Sequence, residues 1–363
     1  MHRIGANKTR LNWELPAEAR ARKPRIALFA APETSPAILF GLYDVLGSVG
    51  AVFPDMTTGE PGDELLDVRI VAAAQAPFRC FGNVLVEPHE SIEGGEPFDV
   101  IIVCDLYTPI TTAPRGRFAR EADWLRRMHA GGSLIASVCT GSLLLAEAGL
   151  VDDRVCAGHW AYADLFATQY PKVDFDTSAI LVLGSEADGV ITAGGVTAWQ
   201  DLALHVIARL CGREHAIRTA KVHLLAGHDD GQLPFAAMIR RTDADDAVIA
   251  RCQDWIAHNY ASPIPVASMV ERSGLRSRTF GRRFRAATGH RPIDYVHALR
   301  IDEARHILES SSSSVDEVGF SVGYDDPTFF RRLFKRRTGL TPAAYRRKFA
   351  GIPDSAWPRA RVG

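Results

Sequence analysis

The feature that most restricts how this chain can fold is an internal repeat near its C-terminus. Phe280, Arg282, Phe284, Thr288, Gly289, Pro292 and Tyr295 recur 50 residues later as Phe330, Arg332, Phe334, Thr338, Gly339, Pro342 and Tyr345. Seven identities in 16 aligned positions require the two stretches to build the same supersecondary unit. In the first copy, residues 266–271 form a short helix with Val266, Met269 and Val270 on one face, Ser273-Gly274 is the turn, and a second helix begins near Ser277. In the second, Ser314 is the N-cap, residues 315–320 are the short helix, Gly323 lies in the turn, and the next helix starts near Pro327.

Each second helix spaces an aromatic pair four residues apart, Phe280/Phe284 and Phe330/Phe334, which places both rings on one buried face. The opposite faces are basic: Arg278, Arg282 and Arg285 in one copy, Arg331, Arg332, Lys335 and Arg336 in the other. This is the pattern of a helix-turn-helix recognition helix. Arginine bonds guanine O6 and N7 bidentately in the major groove, and neighbouring cations hold phosphates. Residues 293–309 read as a connecting helix with Val296, Leu299, Ile307 and Leu308 inward, fixing the spacing of the two units. Two such readers could enter successive major grooves about 34 Å apart. The competing reading, a helical repeat that binds protein, fits less well because solenoids need three or more repeats.

Charge supports a polyanion partner. The whole chain carries a net −1, but residues 245–350 hold 18 Arg plus Lys against 12 Asp plus Glu, leaving −7 for the remainder. With these residues in view, 251–350 resemble the DNA-binding domain of the AraC/XylS family. The motif runs Val318-Gly319-Phe320-x-x-Gly323-Tyr324, Phe329-Phe330-Arg331-Arg332-x-Phe334-Lys335 and Gly339-x-Thr341-Pro342-x-x-Tyr345-Arg346. The resemblance implies base contacts at Arg278, Arg282, Thr328, Arg331 and Arg332. Gly281 stands where a side chain often reaches a base. Double-stranded promoter DNA and RNA polymerase are the partners the resemblance implies, and activation the sign of regulation.

At 363 residues, the chain is too long for one ordinary core. From Arg25, short apolar runs at 26–30, 68–73, 100–104, 133–138, 180–183 and 190–192 alternate with helical stretches. That alternation predicts an α/β domain, a parallel sheet flanked by helices in a flavodoxin-like arrangement, followed by an all-α domain with two helix-turn-helix units. Ligands of such sheets sit beyond the carboxyl ends of the strands. No apolar run approaches the ~20 residues of a membrane-spanning helix, so no membrane partner is expected. The first 23 residues lack the apolar core of a secretion signal and read as a flexible arm. Six cysteines are scattered without metal-site or disulfide spacing, and a reducing, cytoplasmic setting is expected, with no metal and no cofactor.

One turn in the first domain carries candidate chemistry. The strand ending at Val138 runs directly into Cys139-Thr140-Gly141-Ser142 and a helix at 143–148, so Cys139 sits at a strand-to-helix elbow where helix N-terminal amides would lower its pKa. His159, in Gly158-His159-Trp160, is the best imidazole partner for a nucleophilic cysteine. The stretch Ala136-Ser137-Val138-Cys139-Thr140-Gly141 with Leu145-Ala146-Glu147-Ala148-Gly149 resembles the cysteine elbow of the PfpI-like branch of the class I glutamine amidotransferase-like superfamily. The likeness extends over about 24–225, to Thr192-Ala193-Gly194-Gly195. In catalytic relatives an acid after the first strand assists the cysteine, and here Glu33 is the candidate. Where hydrolases of the branch often carry histidine after the cysteine, this chain has Thr140.

The elbow is therefore expected to persist as a small-molecule pocket lined by Glu33, Cys139, Thr140, His159 and Gly195, not as an enzyme. An active cysteine-dependent hydrolase or deglycase fused to a DNA-binding module, using Cys139 and His159, is the alternative. Together the two resemblances are those of GlxA-type transcriptional regulators, which imply a homodimer and an effector among nitrogenous metabolites. The expected boundaries are an arm at 1–23, the sensing domain at 24–226, a turn-rich acidic linker at 227–247, the DNA-binding domain at 248–350 and a tail at 351–363. Within the linker, Leu233-Pro234-Phe235 is an apolar island expected to dock on a domain or on a second subunit.

Overall fold

In the first strand, β1 (Arg25–Phe29), Ile26 and Leu28 pack into one apolar cluster while Ala27 and Phe29 pack into another. A strand with no solvent face demands helices on both sides of its sheet, which is the parallel α/β solution. The computed structural model describes residues 22–184, 189–228, 230–236 and 246–349, and the chain divides into two compact units after Gln232.

In the first unit the strands following β1 are β2 (Asp67–Ala72), β3 (Phe78–Arg79), β4 (Leu85–Val86), β5 (Glu90–Ser91), β6 (Val100–Val103), β7 (Leu134–Val138), β8 (Val155–Ala157), β9 (Asp174–Asp176), β10 (Leu181–Leu183) and β11 (Val190–Ala193). The main sheet has the order β10-β11-β7-β6-β1-β2-β5, parallel except for the edge strand β10. β3–β4 and β8–β9 are small separate pairs. Each apolar run singled out above is a strand of the main sheet. The short polar strand β5 and the two small pairs carry no such apolar run.

The helices are α1 (Pro36–Gly47), α2 (Val52–Thr58), α3 (Ala119–Ala130), α4 (Ser142–Glu147), α5 (Ala163–Gln169), α6 (Trp199–Leu210) and α7 (Arg213–His223). Leu39 and Leu42 of α1 and Leu202 and Val206 of α6 cover one sheet face, while Leu125 of α3, Leu144 of α4 and Phe166 of α5 cover the other. No single helix among the described residues is long and apolar enough to cross a membrane.

The second unit is helical: α8 (Ala247–Asn259), α9 (Pro265–Ser273), α10 (Ser277–Thr288), α11 (Pro292–Ser310), α12 (Val315–Ser321), α13 (Pro327–Thr338) and α14 (Pro342–Phe349). The connecting helix α11 lends its first half (Val296, Leu299) to a core with Met269, Phe280 and Phe284. Its second half (Ala304, Leu308) joins Val318, Phe330 and Phe334.

The repeat in sequence is a repeat in geometry. Phe284 meets Tyr295 edge-on at 5.3 Å and 82°, and Phe334 meets Tyr345 at 5.4 Å and 84°. Thr288 and Thr338 each return a hydroxyl to the carbonyl four residues back, at 2.7 and 2.9 Å, closing helices that end on Gly289 and Gly339 at φ +77°. Ser314 caps α12 in a full capping box with Glu317.

Of the segment 227–247, His228 and Gln232 bond within the first unit, and Leu233–Phe235 packs in the second. Its remainder at 237–245, most of the arm and all of the tail lie outside the described residues.

Candidate nucleic-acid interface and cysteine elbow

The recognition helices α10 and α13 bury Phe280, Phe284, Phe330 and Phe334 and turn their other faces outward. Arg278, Arg282, Arg285, Thr328, Arg331, Arg332 and Lys335 are all exposed. Arg278, Gly281, Arg282 and Arg285 line one side of a shallow concavity of about 650 Å³ closed by Arg291 and Pro292 at the start of α11. On α13, Arg332 lies 5.7 Å over the Phe329 ring and Arg331 pairs with Asp316 of α12. Arg283 is committed elsewhere. Its Nε and a terminal nitrogen each donate to Asp246 at 2.7 Å, and Asp246 also caps α8, so the pair ties α10 to α8. Arg283, together with the Ile249 and Val248 N–H groups that Asp246 caps, holds the Asp246 carboxyl down at about 2.

The two helix-turn-helix units are joined by a buried cation. Arg300 of α11 donates to the carbonyls of Tyr260 (2.7 Å), Ser262 (2.8 Å) and Gly323 (2.6 Å). Tyr260 and Ser262 lie between α8 and α9, and Gly323 in the turn between α12 and α13. At φ +91° Gly323 could not bear a side chain, since a Cβ would stand 2.7 Å from the Ala261 carbonyl and 2.9 Å from the Arg300 guanidinium.

In the first unit, Cys139 follows β7 at φ +55°, the left-handed region a cysteine seldom occupies. Its N–H donates to the Gly194 carbonyl at 2.9 Å and its carbonyl accepts from Ser142 Oγ at 2.8 Å. Gly141 lets the elbow close against β6, where a Cβ would meet the Val103 and Cys104 carbonyls at 2.6 Å. Thr140 Oγ1 accepts from the Leu106 N–H at 3.0 Å.

The thiol is not acidified as the elbow leads one to expect. Burial, then the charge of Asp105, push Cys139 up to about 12, outweighing the bonds from the Thr140 N–H and hydroxyl that act the other way. The acid whose charge Cys139 feels is thus Asp105, beyond β6. Glu33 is ion-paired with Arg117. Asp105 is buried, accepts from the Ser35 N–H at 2.9 Å and is itself pushed up to about 6, chiefly by desolvation.

His159 lies half-buried, its pKa lowered by burial. Its Nδ1 accepts from the Ala161 N–H at 3.2 Å, which assigns the proton of the neutral ring to Nε2. Gly195 borders it, a Cβ there falling 3.7 Å from His159 Cδ2. Tyr162 meets the imidazole edge-on at 6.2 Å, and its own pKa is raised by burial and by Cys139. The structure thus gathers Cys139 and Thr140 at one elbow, with the charge of Asp105 acting on the thiol, and sets His159 beside Gly195.

Comparison with known proteins places both halves. The DJ-1/PfpI family profile matches residues 45–209, and a helix-turn-helix domain profile matches 269–348. The order of the two domains matches the GlxA-type fusion. It is similar to the HTH-type transcriptional regulator CdhR of Pseudomonas aeruginosa, at 25% identity over 83% of this chain and 88% of the relative. It is also similar to the HTH-type transcriptional regulator GlxA of Rhizobium meliloti, at 26% identity over 70% and 76%. The MmsAB operon regulatory protein of P. aeruginosa is 46% identical over 69 residues, 19% of this chain and 22% of its own. Among solved structures, Drosophila melanogaster DJ-1beta aligns with 57% of this chain and 100% of its own, at 19% identity and a TM-score of 0.46.

Within the GlxA-type arrangement, several residues escaped the reading of the sequence. Asp105 was legible, because it follows an apolar strand at the carboxyl end where ligand sites form. Gln232 was not, since it lies in a segment whose composition reads as linker. Nor was the pair in which His228 Nδ1 meets Asp201 at 2.6 Å.

Proposed function

We propose that this chain regulates transcription by binding promoter DNA through α10 and α13, under the control of a small molecule bound at the carboxyl ends of the strands in its first unit. One observation carries the reading: the repeat presents two outward basic faces on two helices joined through α11 and its Arg300. Arg278, Arg282, Thr328, Arg331 and Arg332 read bases, while Arg285 and Lys335 hold phosphates. Activation through RNA polymerase, dimerisation, a cytoplasmic location and a nitrogenous effector belong to the same proposal, by the resemblance to GlxA-type regulators. The effector pocket comprises Glu33, Cys139, Thr140, His159 and Gly195.

A buried thiol that stays protonated at neutral pH supports sensing over nucleophilic chemistry. Footprinting of the full chain on genomic fragments tests the reading. Protection of a defined segment, lost steeply as salt rises, is expected. Uniform protection of any duplex, or none, overturns it. Turnover of simple amides, dicarbonyls or isonitriles that vanishes in Cys139→Ala would establish the enzyme instead.

A further inference from the structure

The last residue of the first unit behaves as a bound ligand. Gln232 is buried, and its carboxamide uses every polar group it has. Oε1 accepts from the Gly195 N–H at 2.8 Å, and Nε2 donates to the carbonyls of Gly158 (3.0 Å) and Ala179 (2.8 Å). These partners come from three separate loops, after β8, before β10 and after β11. Gly158 and Gly195 flank His159, and Gly194 of the same turn holds the Cys139 N–H. Gly194 is shaped around the amide, since a Cβ there would lie 2.3 Å from Nε2. The main chain seals the segment through the Gln232 N–H to the Ser178 carbonyl at 3.0 Å, with Gly231 at φ +70°.

We propose that the three backbone groups of Gly158, Ala179 and Gly195 form a subsite for a primary carboxamide, which Gln232 occupies in the absence of effector and which an amide-bearing effector takes over. The chemistry of the donors selects the class. One N–H and two carbonyls match one acceptor oxygen and two N–H donors. A carboxylate would face two carbonyls with no proton to offer, and an N,N-dialkyl amide has no donor.

Displacement matters because of where the chain goes next. Leu233–Phe235 is held in the second unit, the Leu233 carbonyl accepting from Arg305 at 3.0 Å and Phe235 meeting Phe349 edge-on at 5.6 Å. An amide that expels Gln232 therefore frees one end of a segment whose other end stays fixed to the DNA-binding unit. This inference rests on the sensing reading given above.

Acetamide is the probe, with acetate and N,N-dimethylacetamide as controls, on the full-length chain. In the native protein, acetamide should speed hydrogen exchange of the Gln232 N–H. In Gln232→Met, whose thioether cannot pair with the three backbone groups and so competes only weakly for the subsite, acetamide should bind about tenfold tighter or more and should protect the Gly195 N–H. Binding in Gln232→Met within roughly twofold of the native value, or acetate binding as well as acetamide, overturns the inference. So does acetamide binding to the native chain without faster exchange at Gln232. Footprinting separates the two readings. A chain that protects its DNA site but shows no amide selectivity sinks only this inference, whereas amide displacement without specific DNA protection sinks only the regulator.

Discussion

Arg300 donates a 2.6 Å hydrogen bond to the carbonyl of Gly323, and with its two other bonds, to Tyr260 and Ser262, this fastens the turn of the second helix-turn-helix unit to the start of the first. Replacing it with alanine leaves three carbonyls without their cationic partner. Arg300→Ala should lower the stability of the second unit by on the order of 3 kcal/mol, read as a shift in the denaturant midpoint of its transition. It should also weaken binding to a site with both half-sites more than binding to either half alone. An equal loss on both would mean that Arg300 does not set the spacing.

Arg332 and Lys335 separate base reading from phosphate contact. Arg332→Ala should cost roughly 1–3 kcal/mol on the cognate site and little on random sequence. Lys335→Ala should weaken both alike and reduce the salt dependence by about one counterion. Equal losses on the two DNAs for Arg332→Ala would reassign that arginine to the backbone.

Gly281 occupies the register of Arg331 in the repeat, and a Cβ there meets nothing within 4 Å. Gly281→Ala should therefore stabilise α10 by about 0.5–1 kcal/mol without disturbing DNA affinity. Gly281→Arg should add a base preference in the first half-site, visible as a changed consensus in selection from random duplexes.

The Asp105 carboxyl, buried beside the elbow, is pushed up from its ordinary 3.8 to about 6. The folded state then holds this proton more tightly than the unfolded state. Its contribution to stability accordingly falls as pH rises from about 4 to 6, by roughly 3 kcal/mol. Asp105→Asn, which can keep the bond from Ser35, should flatten that slope in pH-dependent unfolding. An unchanged slope would show that Asp105 is ionised throughout.

Cys139, pushed up to about 12, should show no thiolate absorbance step between pH 6 and about 9, and should alkylate only as fast as the fold opens. A titration step below about pH 8 in the native chain, absent in Cys139→Ala, would restore the nucleophile.

Periodicity carried most of the fold because both halves rest on it. The apolar runs leading to Phe29, Val103 and Val138 read as strands covered on two faces, and the aromatic pairs of α10 and α13 as buried helix faces. The candidate site was less legible. A strand-to-helix elbow shows in sequence as Cys139-Thr140-Gly141, but the thiol's acidity depends on how much water reaches it, which three-dimensional packing alone decides. Glu33 lies after the first strand where an acid is sought, yet Arg117, 84 residues away, claims it. Gln232 is invisible for the same reason, as its partners at 158, 179 and 195 are backbone groups with no side-chain identity.

The two halves of the repeat have drifted apart where they face outward, glycine in one and arginine in the other at the same register, while keeping the same aromatic corner within. A chain laid along a duplex through these helices therefore has a front and a back. Turning its binding site end for end relative to a start of transcription would be a different instruction, and inverting the site in place is enough to reveal which way the chain points.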